Sequence, residues 1–213
     1  MKRKIQYLIP VLALLGSLKV LGQTADVQVA EKNQRWFSLG GRSTVSVFDQ
    51  DGSGLGTGGQ FRIQLSNSVN TDWFADYIVI SMPHGVRSTY YHIGWSVLYY
   101  PFKTMQYPKL LQPYILAGHC FDYNKKTEIR NPTNSKSRLG SAVQAGVGTH
   151  LHLSERFDTS LTMQYMIHLT NELEVEALTD GDIIIQEDSH SSLEGHLLVT
   201  LSINYKIFRL WKK

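Results

Sequence analysis

Four charged residues stand on strand faces that are otherwise nearly free of charge. Arg42, Arg62, Asp72 and Asp76 fall on the polar sides of three successive alternating segments. A guanidinium in a water-poor space needs carboxylate partners, so these four are expected to form one Arg/Asp network. The segment Asp49-Gln50-Asp51-Gly52-Ser53-Gly54 places oxygen ligands at alternate positions with glycine sixth, as a calcium loop does. Gln60 occupies the place of the bidentate glutamate and no helical pattern flanks the segment, so it reads as an ordinary hairpin loop. Its glycines are no phosphate cradle either, since no helix follows them. His150, His152, His168 and His196 lie on polar faces of three later strands. They are expected at different heights and therefore as hydrogen-bonding groups, with no metal and no cofactor.

The elements that must position these groups are strands. In Leu193 to Phe208 the odd positions run Leu, Gly, Leu, Val, Leu, Ile, Tyr, Ile, and the even positions are mostly polar. Sixteen residues at roughly 3.3 Å each reach roughly 50 Å, which suits a tilted membrane span. Similar alternation begins at Arg35, with Phe37, Leu39, Val45 and Val47 on one face. A Gly-rich turn from Asp49 to Gly59 leads to a second strand, Gln60 to Leu65. A third strand places Trp73, Ala75, Tyr77 and Val79 opposite Asp72, Phe74, Asp76 and Ile78. The fourth, Arg87 to Tyr100, follows the loop Met82 to Gly85. The fifth, Gln112 to Tyr123, follows the turn Pro101 to Lys109 and leaves its facing open. Polar residues Asn124 to Lys136 read as a loop before a sixth strand, Leu139 to His152. A seventh, Ser160 to Leu169, is joined to the closing strand by a long acidic loop, Asn171 to Ser191. No helix-period segment interrupts the eight.

The chain has 213 residues, and its start has the layout of an export signal. Lys2, Arg3 and Lys4 precede the apolar run Ile5 to Leu18, and Val20-Leu21-Gly22 offers a cleavage site after Gly22. The run is shorter than the ~20 residues of a spanning helix. Positions 1 to 22 hold four basic residues and no acid, so the remainder carries 17 basic against 18 acidic residues and has no nucleic-acid footprint. Cys120 is the only cysteine, so there is no internal disulfide, and no cysteine follows the cleavage site to carry a lipid anchor. The expected organisation is a signal peptide over 1–22, an unstructured lead-in over 23–34, a barrel over 35–208 and a short tail over 209–213.

An eight-stranded barrel can also be soluble and lipocalin-like, with its faces reversed and an apolar ligand inside. The polar faces decide between the two. They are mainly Gly, Ser, Thr, Gln and His, which suit a narrow side-chain-filled lumen, whereas a water-exposed face carries many Lys, Glu and Asp. Trp73, Tyr77, Tyr99, Tyr114, Tyr165 and Tyr205 near strand ends fit the aromatic girdles of a membrane barrel. In such a lumen the Arg/Asp network reads as a polar plug rather than a gated ion path. The fold class is therefore all-β, an eight-stranded antiparallel up-and-down transmembrane barrel.

Over its mature length the chain resembles the small OmpA/OmpX-like outer-membrane barrels of Gram-negative bacteria. Thr200, Ser202, Tyr205 and Ile207 match the spacing of the carboxy-terminal signal shown to the barrel-assembly machinery, with Ser202 in place of glycine and Ile207 in place of the final aromatic. The resemblance implies an outer-membrane monomer among lipid and lipopolysaccharide. It also implies a structural or surface-interaction role through the external segments Tyr123 to Arg138 and Asn171 to Ser191. A second resemblance points elsewhere. His168, Thr170 and Asn171 are similar to the His-any-Ser motif of PagL-type lipid A deacylases, implying Thr170 as nucleophile, His168 as base and Asp182 or Glu194 as acid. Thr stands for Ser, Met166 stands where that motif has an aromatic, and the alternation points His168 into the lumen. A non-enzymatic role is the expectation.

Overall fold

Period-two alternation of apolar and small polar residues dictates strands, and a computed structural model of the protein contains ten among its described residues. These are residues 35–48, 52–102, 111–171, 173–178, 182–187 and 195–211. The expected signal peptide, its cleavage site and the lead-in lie outside them. So do Asp49, Gln50 and Asp51 of the calcium-like segment.

The wall consists of β1 (Arg35–Phe48), β2 (Gly52–Gln64), β3 (Val69–Ser81), β4 (Val86–Tyr99), β5 (Leu111–Glu128), β6 (Ser135–His152), β7 (Phe157–His168) and β10 (Gly195–Trp211). Each pairs antiparallel with its neighbour, and β1 pairs with β10 to close the barrel. Stepping across paired residues from Phe37 through Ile63, Thr71, Val97, Ala117, Ala145, Tyr165 and Leu197 returns to β1 at Val47. That stagger of ten positions around eight strands corresponds to strands inclined at about 40°. The smaller pair β8 (Leu173–Ala177) and β9 (Ile183–Glu187) forms a separate hairpin between β7 and β10.

Several strands run further than their composition suggests. From Gly52 on, the Gly-rich segment is not a turn but the first half of β2, whose alternate glycines Gly54, Gly56 and Gly58 face the lumen. Gly54 and Gly56 lie against Ile80 and Ile78 of β3, and Gly58 against Asp76, leaving no room for a side chain. Gln60 points inward to Asn204, away from any calcium loop. Asn124 to Glu128 and Ser135 to Lys136 are strand, so the expected loop shrinks to a tip at 129–134. The acidic connection carries the β8–β9 hairpin. Hydrogen bonding of β10 continues past Phe208 to Trp211, opposite Arg35. On β5 the facing is now fixed: Tyr114, Leu116, Cys120 and Asp122 are buried inside, while Ile115 and Phe121 are exposed outside.

The outer wall is apolar. Ile93 is 61 % exposed, Leu161 52 % and Leu201 54 %. These side chains point away from the common centre, which overturns the soluble lipocalin-like alternative. Phe208, Phe37, Phe61, Trp73 and Trp95 form one continuous row of rings with centroids 5.0 to 6.4 Å apart. Tyr77, Tyr91 and Tyr123 form a second. Tyr114 does not belong to a girdle: its ring is buried in the lumen over Gly148, with its hydroxyl 2.6 Å from Thr162 Oγ1. Introducing a charge on the outer wall is expected to be costly. Met163→Arg should lower the folding free energy by roughly 2–4 kcal/mol if the site lies near the bilayer midplane. Urea titration of the protein in vesicles measures this, and a neutral substitution would contradict a lipid-facing wall.

Candidate functional site: the packed lumen

With both chain ends taken as periplasmic, the turns at 82–85 and 129–134 and the β8–β9 hairpin lie on the external side. The lumen between is filled in layers. Nearest the periplasm, Arg62 faces Asp72 across β2 and β3, where the register makes them direct partners. Its Nε donates to Asp72 Oδ1 at 2.6 Å and its Nη2 to Oδ2 at 3.0 Å, a two-pronged pair. Its Nη1 donates to Asp158 Oδ1 at 2.9 Å, and Asn204 Nδ2 donates to the same oxygen at 3.1 Å. A buried guanidinium is thus held by two carboxylates from opposite sides of the barrel.

Beside this group, Asn70 Nδ2 donates to Tyr100 OH at 2.6 Å, and that hydroxyl lies 2.8 Å from His150 Nε2. His152 Nε2 lies 3.0 Å from Gln112 Oε1. These residues border a cavity of about 50 Å³, room for a few waters.

Higher up, Arg42 Nε lies 3.0 Å from Asp76 Oδ1, and its guanidinium carbon sits 4.4 Å from the centre of the Phe74 ring. Gln60 Nε2 donates to Asn204 and Ser202, and Ser160 and Ser202 share a hydrogen bond. Gln164 donates to Gln144, which donates to Ser96. The Arg/Asp residues therefore form two ion-paired groups joined through Gln60 and Asn204: Arg42 Nη1 donates to Gln60 Oε1 at 3.5 Å, and Asn204 accepts from Gln60 and donates to Asp158 beside Arg62.

Two features of the lumen are not apparent from the alternation. The first is apolar packing inside: Phe74, Ile78, Ile80, Tyr90, Cys120, Ala142, Met166 and Leu198 make one buried cluster. Leu98, Tyr100, Tyr114 and Leu116 make another. The second is a group around Asp122. His168 Nδ1 lies 2.8 Å from Asp122 Oδ2, His92 Nε2 3.2 Å from Oδ1, and Arg138 Nη2 3.7 Å from Oδ2. His168 Nε2 shares a hydrogen bond of 3.0 Å with His196 Nδ1. The four histidines singled out in the sequence thus lie at different heights, His168 with His196 toward the external end and His150 with His152 beside the periplasmic-end cavity. Among the described residues no group of three His, Cys, Asp or Glu side chains is arranged to hold a metal ion.

Among the described residues the groups named for ester hydrolysis are not brought together. Both ring nitrogens of His168 are engaged, one with Asp122 and one with His196, and the side chain is 1 % exposed. Thr170 Oγ1 receives no hydrogen bond from it, and Thr170 O instead accepts from Arg138. Asp182 lies at the turn end of the β8–β9 hairpin, where its carbonyl accepts from Leu178 N. Glu194 lies outside the described residues.

No protein-family model and no curated protein matches the sequence. Solved structures do match in fold. The fold is that of the small outer-membrane β-barrels. Neisserial surface protein A is 12 % identical with a TM-score of 0.51, over 81 % of this chain and 97 % of that one. A major outer membrane protein from Thermus thermophilus is 11 % identical with a TM-score of 0.53, over 80 % and 99 %. OprG from Pseudomonas aeruginosa is 12 % identical with a TM-score of 0.51, over 83 % and 97 %. At this identity the likeness is one of architecture. Together with the apolar belt, it makes this chain an outer-membrane barrel.

Arg62 supplies the sharpest test of the packed lumen. Arg62→Met leaves Asp72 and Asp158 without their cation and should cost about 3–5 kcal/mol, the magnitude for breaking a buried ion pair. The triple change Arg62→Met, Asp72→Asn, Asp158→Asn should recover part of that loss in the same urea titration. A triple variant no more stable than the single one would contradict the assignment.

Proposed function

We propose that this barrel is a non-conducting outer-membrane protein that works at the cell surface through its external β-structure. The observation that carries the reading is the filling of the lumen by two Arg/Asp groups, two apolar clusters and the Asp122 histidines. Such an interior serves as a scaffold, since an eight-stranded lumen leaves room for side chains and little else.

The external elements support the surface role. β5 and β6 are 18 residues each, against 12 to 14 for β1, β2, β3, β4 and β7, so they form a tongue at the external end. Asn134 at its tip donates from Nδ2 to Glu128 Oε2 at 2.9 Å and to Ile183 O at 2.8 Å, tying the tongue to the β8–β9 hairpin. A partner therefore meets ordered β-structure, not the mobile loops that the polar composition suggests. The closed wall has no free edge strand to pair with another copy, which fits a monomer surrounded by lipid and lipopolysaccharide. Thr200 and Ser202 inside and Tyr205 outside keep the spacing of the assembly signal on β10.

Two measurements test this. In planar bilayers the protein should give no discrete conductance steps, and Arg42→Met should lose heat stability without gaining them. Large channels in that variant would identify a gated pore. A photo-crosslinking residue at Glu174 or Glu187, exposed on the hairpin, should capture a discrete macromolecule on intact cells, whereas one at lipid-facing Met163 should not. Equal yields at all three positions would contradict the surface role.

A further inference from the structure

Beyond the row formed by Tyr77, Tyr91 and Tyr123, the outer wall changes character on β4, β5 and β6. Period-two alternation keeps Arg87 and Thr89 on the same outward side of β4 as Tyr91, and Lys125 and Thr127 on the same side of β5 as Tyr123. Register pairs Arg87 with Thr127 and Thr89 with Lys125, so the two cations are diagonal neighbours with backbones about 7–8 Å apart. On β6, Ser135 and Ser137 stand directly opposite Thr127 and Lys125 on that same face. Arg87, Lys125 and both serines are exposed. The patch is local: near the external ends of β1, β2 and β7 the outward residues are Val47, Leu55 and Leu169.

Among the described residues no carboxylate lies within ion-pair distance of Arg87 or Lys125. Only four acids occur between Val69 and His152, namely Asp72, Asp76, Asp122 and Glu128. The three aspartates are buried inside the lumen, and Glu128 Oε2 accepts from Asn134 at the tip of the tongue. Two like charges side by side on a strand face repel each other, and hydroxyls alone do not offset that. A phosphate does: it takes a charge-assisted hydrogen bond from each cation and further ones from the hydroxyls.

Arg87 lies four residues beyond Tyr91 and Lys125 two beyond Tyr123. At about 3.3 Å per residue and a tilt of about 40°, their backbones stand roughly 5–10 Å outside the tyrosines. Interfacial aromatics mark the edge of the hydrocarbon, and the headgroup layer outside it is roughly 5–8 Å deep. Both cations therefore sit level with lipid headgroups, on a surface continuous with the lipid-facing wall. We infer that Arg87 and Lys125, with Thr89, Thr127, Ser135 and Ser137, form a docking site for the phosphate monoester of a lipid in the external leaflet. A monoester carries about −1.5 to −2 at about pH 7, which matches two cations, whereas a phosphodiester carries a single charge. The site rests on the outer-membrane reading, but its failure leaves that reading intact, since conductance and surface crosslinking test the latter separately.

Native mass spectrometry of the detergent-solubilised barrel reads the site. The probe is phosphatidic acid, a lipid monoester, and the reference is phosphatidylglycerol, a diester. One phosphatidic acid should be retained at a concentration about tenfold below that needed for phosphatidylglycerol. Arg87→Gln/Lys125→Gln should lower that preference to about twofold or less, whereas Arg130→Gln/Arg209→Gln, which removes two exposed cations elsewhere, should leave it unchanged. Equal retention of the two lipids by the unaltered protein, an unchanged preference in Arg87→Gln/Lys125→Gln, or the same loss in both variants overturns the proposal. So does displacement of the lipid by an equal concentration of glycerol 3-phosphate, which would assign the patch to a soluble phosphate. Heat-modifiable electrophoretic mobility checks that the variants fold, and Lys125→Gln alone, with a partial loss of preference expected, replaces the double change if it does not.

Discussion

Closure of the hydrogen-bonded ladder is the constraint on which the rest depends. Within a hydrocarbon layer every backbone N–H and C=O must find a partner in the protein, and joining β10 to β1 satisfies that demand without leaving an edge. Once the stagger is fixed at ten positions, the face of every residue is fixed with it. A slip of one residue along any strand would send its apolar side chains inward and its polar ones into lipid.

A lumen this narrow must be packed rather than merely lined. Packing explains why polar strand faces carry large apolar residues, such as Phe74, Ile78 and Ile80, beside Arg42 and Asp76. Glycines on β2 provide the space that the bulky residues of β3 take up, so volume is conserved across neighbouring strands. The buried charges then fall where carboxylates converge from several strands. Asp158 completes the Arg62 pair, and Asp122 gathers His92, His168 and Arg138. The charges hold strands in register, while the apolar clusters exclude water from the charges and strengthen them.

Most of the wall was legible in the sequence because period-two alternation is a local signal. Tyr91, Ile93, Trp95, Val97 and Tyr99 alternating with His92, Gly94, Ser96 and Leu98 declare a strand and its facing without help from elsewhere. The glycines of β2 were not legible as strand, because glycine in isolation signals a turn and only Ile78 and Ile80 across the pair explain it. Asn124 to Glu128 looked like loop because polar residues suit both a turn and the inside of a barrel. The pairing of Arg62 with Asp72 joins neighbouring strands, that of Arg42 with Asp76 reaches past the glycines of β2 from β1 to β3, and both follow from alternation and charge. The reach of Asp158 to Arg62 and of Asp122 to His168 depends on register accumulated around the barrel, which local spacing does not carry.

The account rests on the outer wall touching lipid and the inner face touching protein. Site-directed spin labels at successive positions from Leu197 to Tyr205 on β10 examine this residue by residue in lipid vesicles. Labels at Leu197, Val199, Leu201 and Ile203 should collide readily with oxygen and poorly with a water-soluble nickel chelate, while labels at Leu198, Thr200 and Ser202 should meet little of either. Equal accessibility on both faces, or chelate contact at the odd positions, would contradict it.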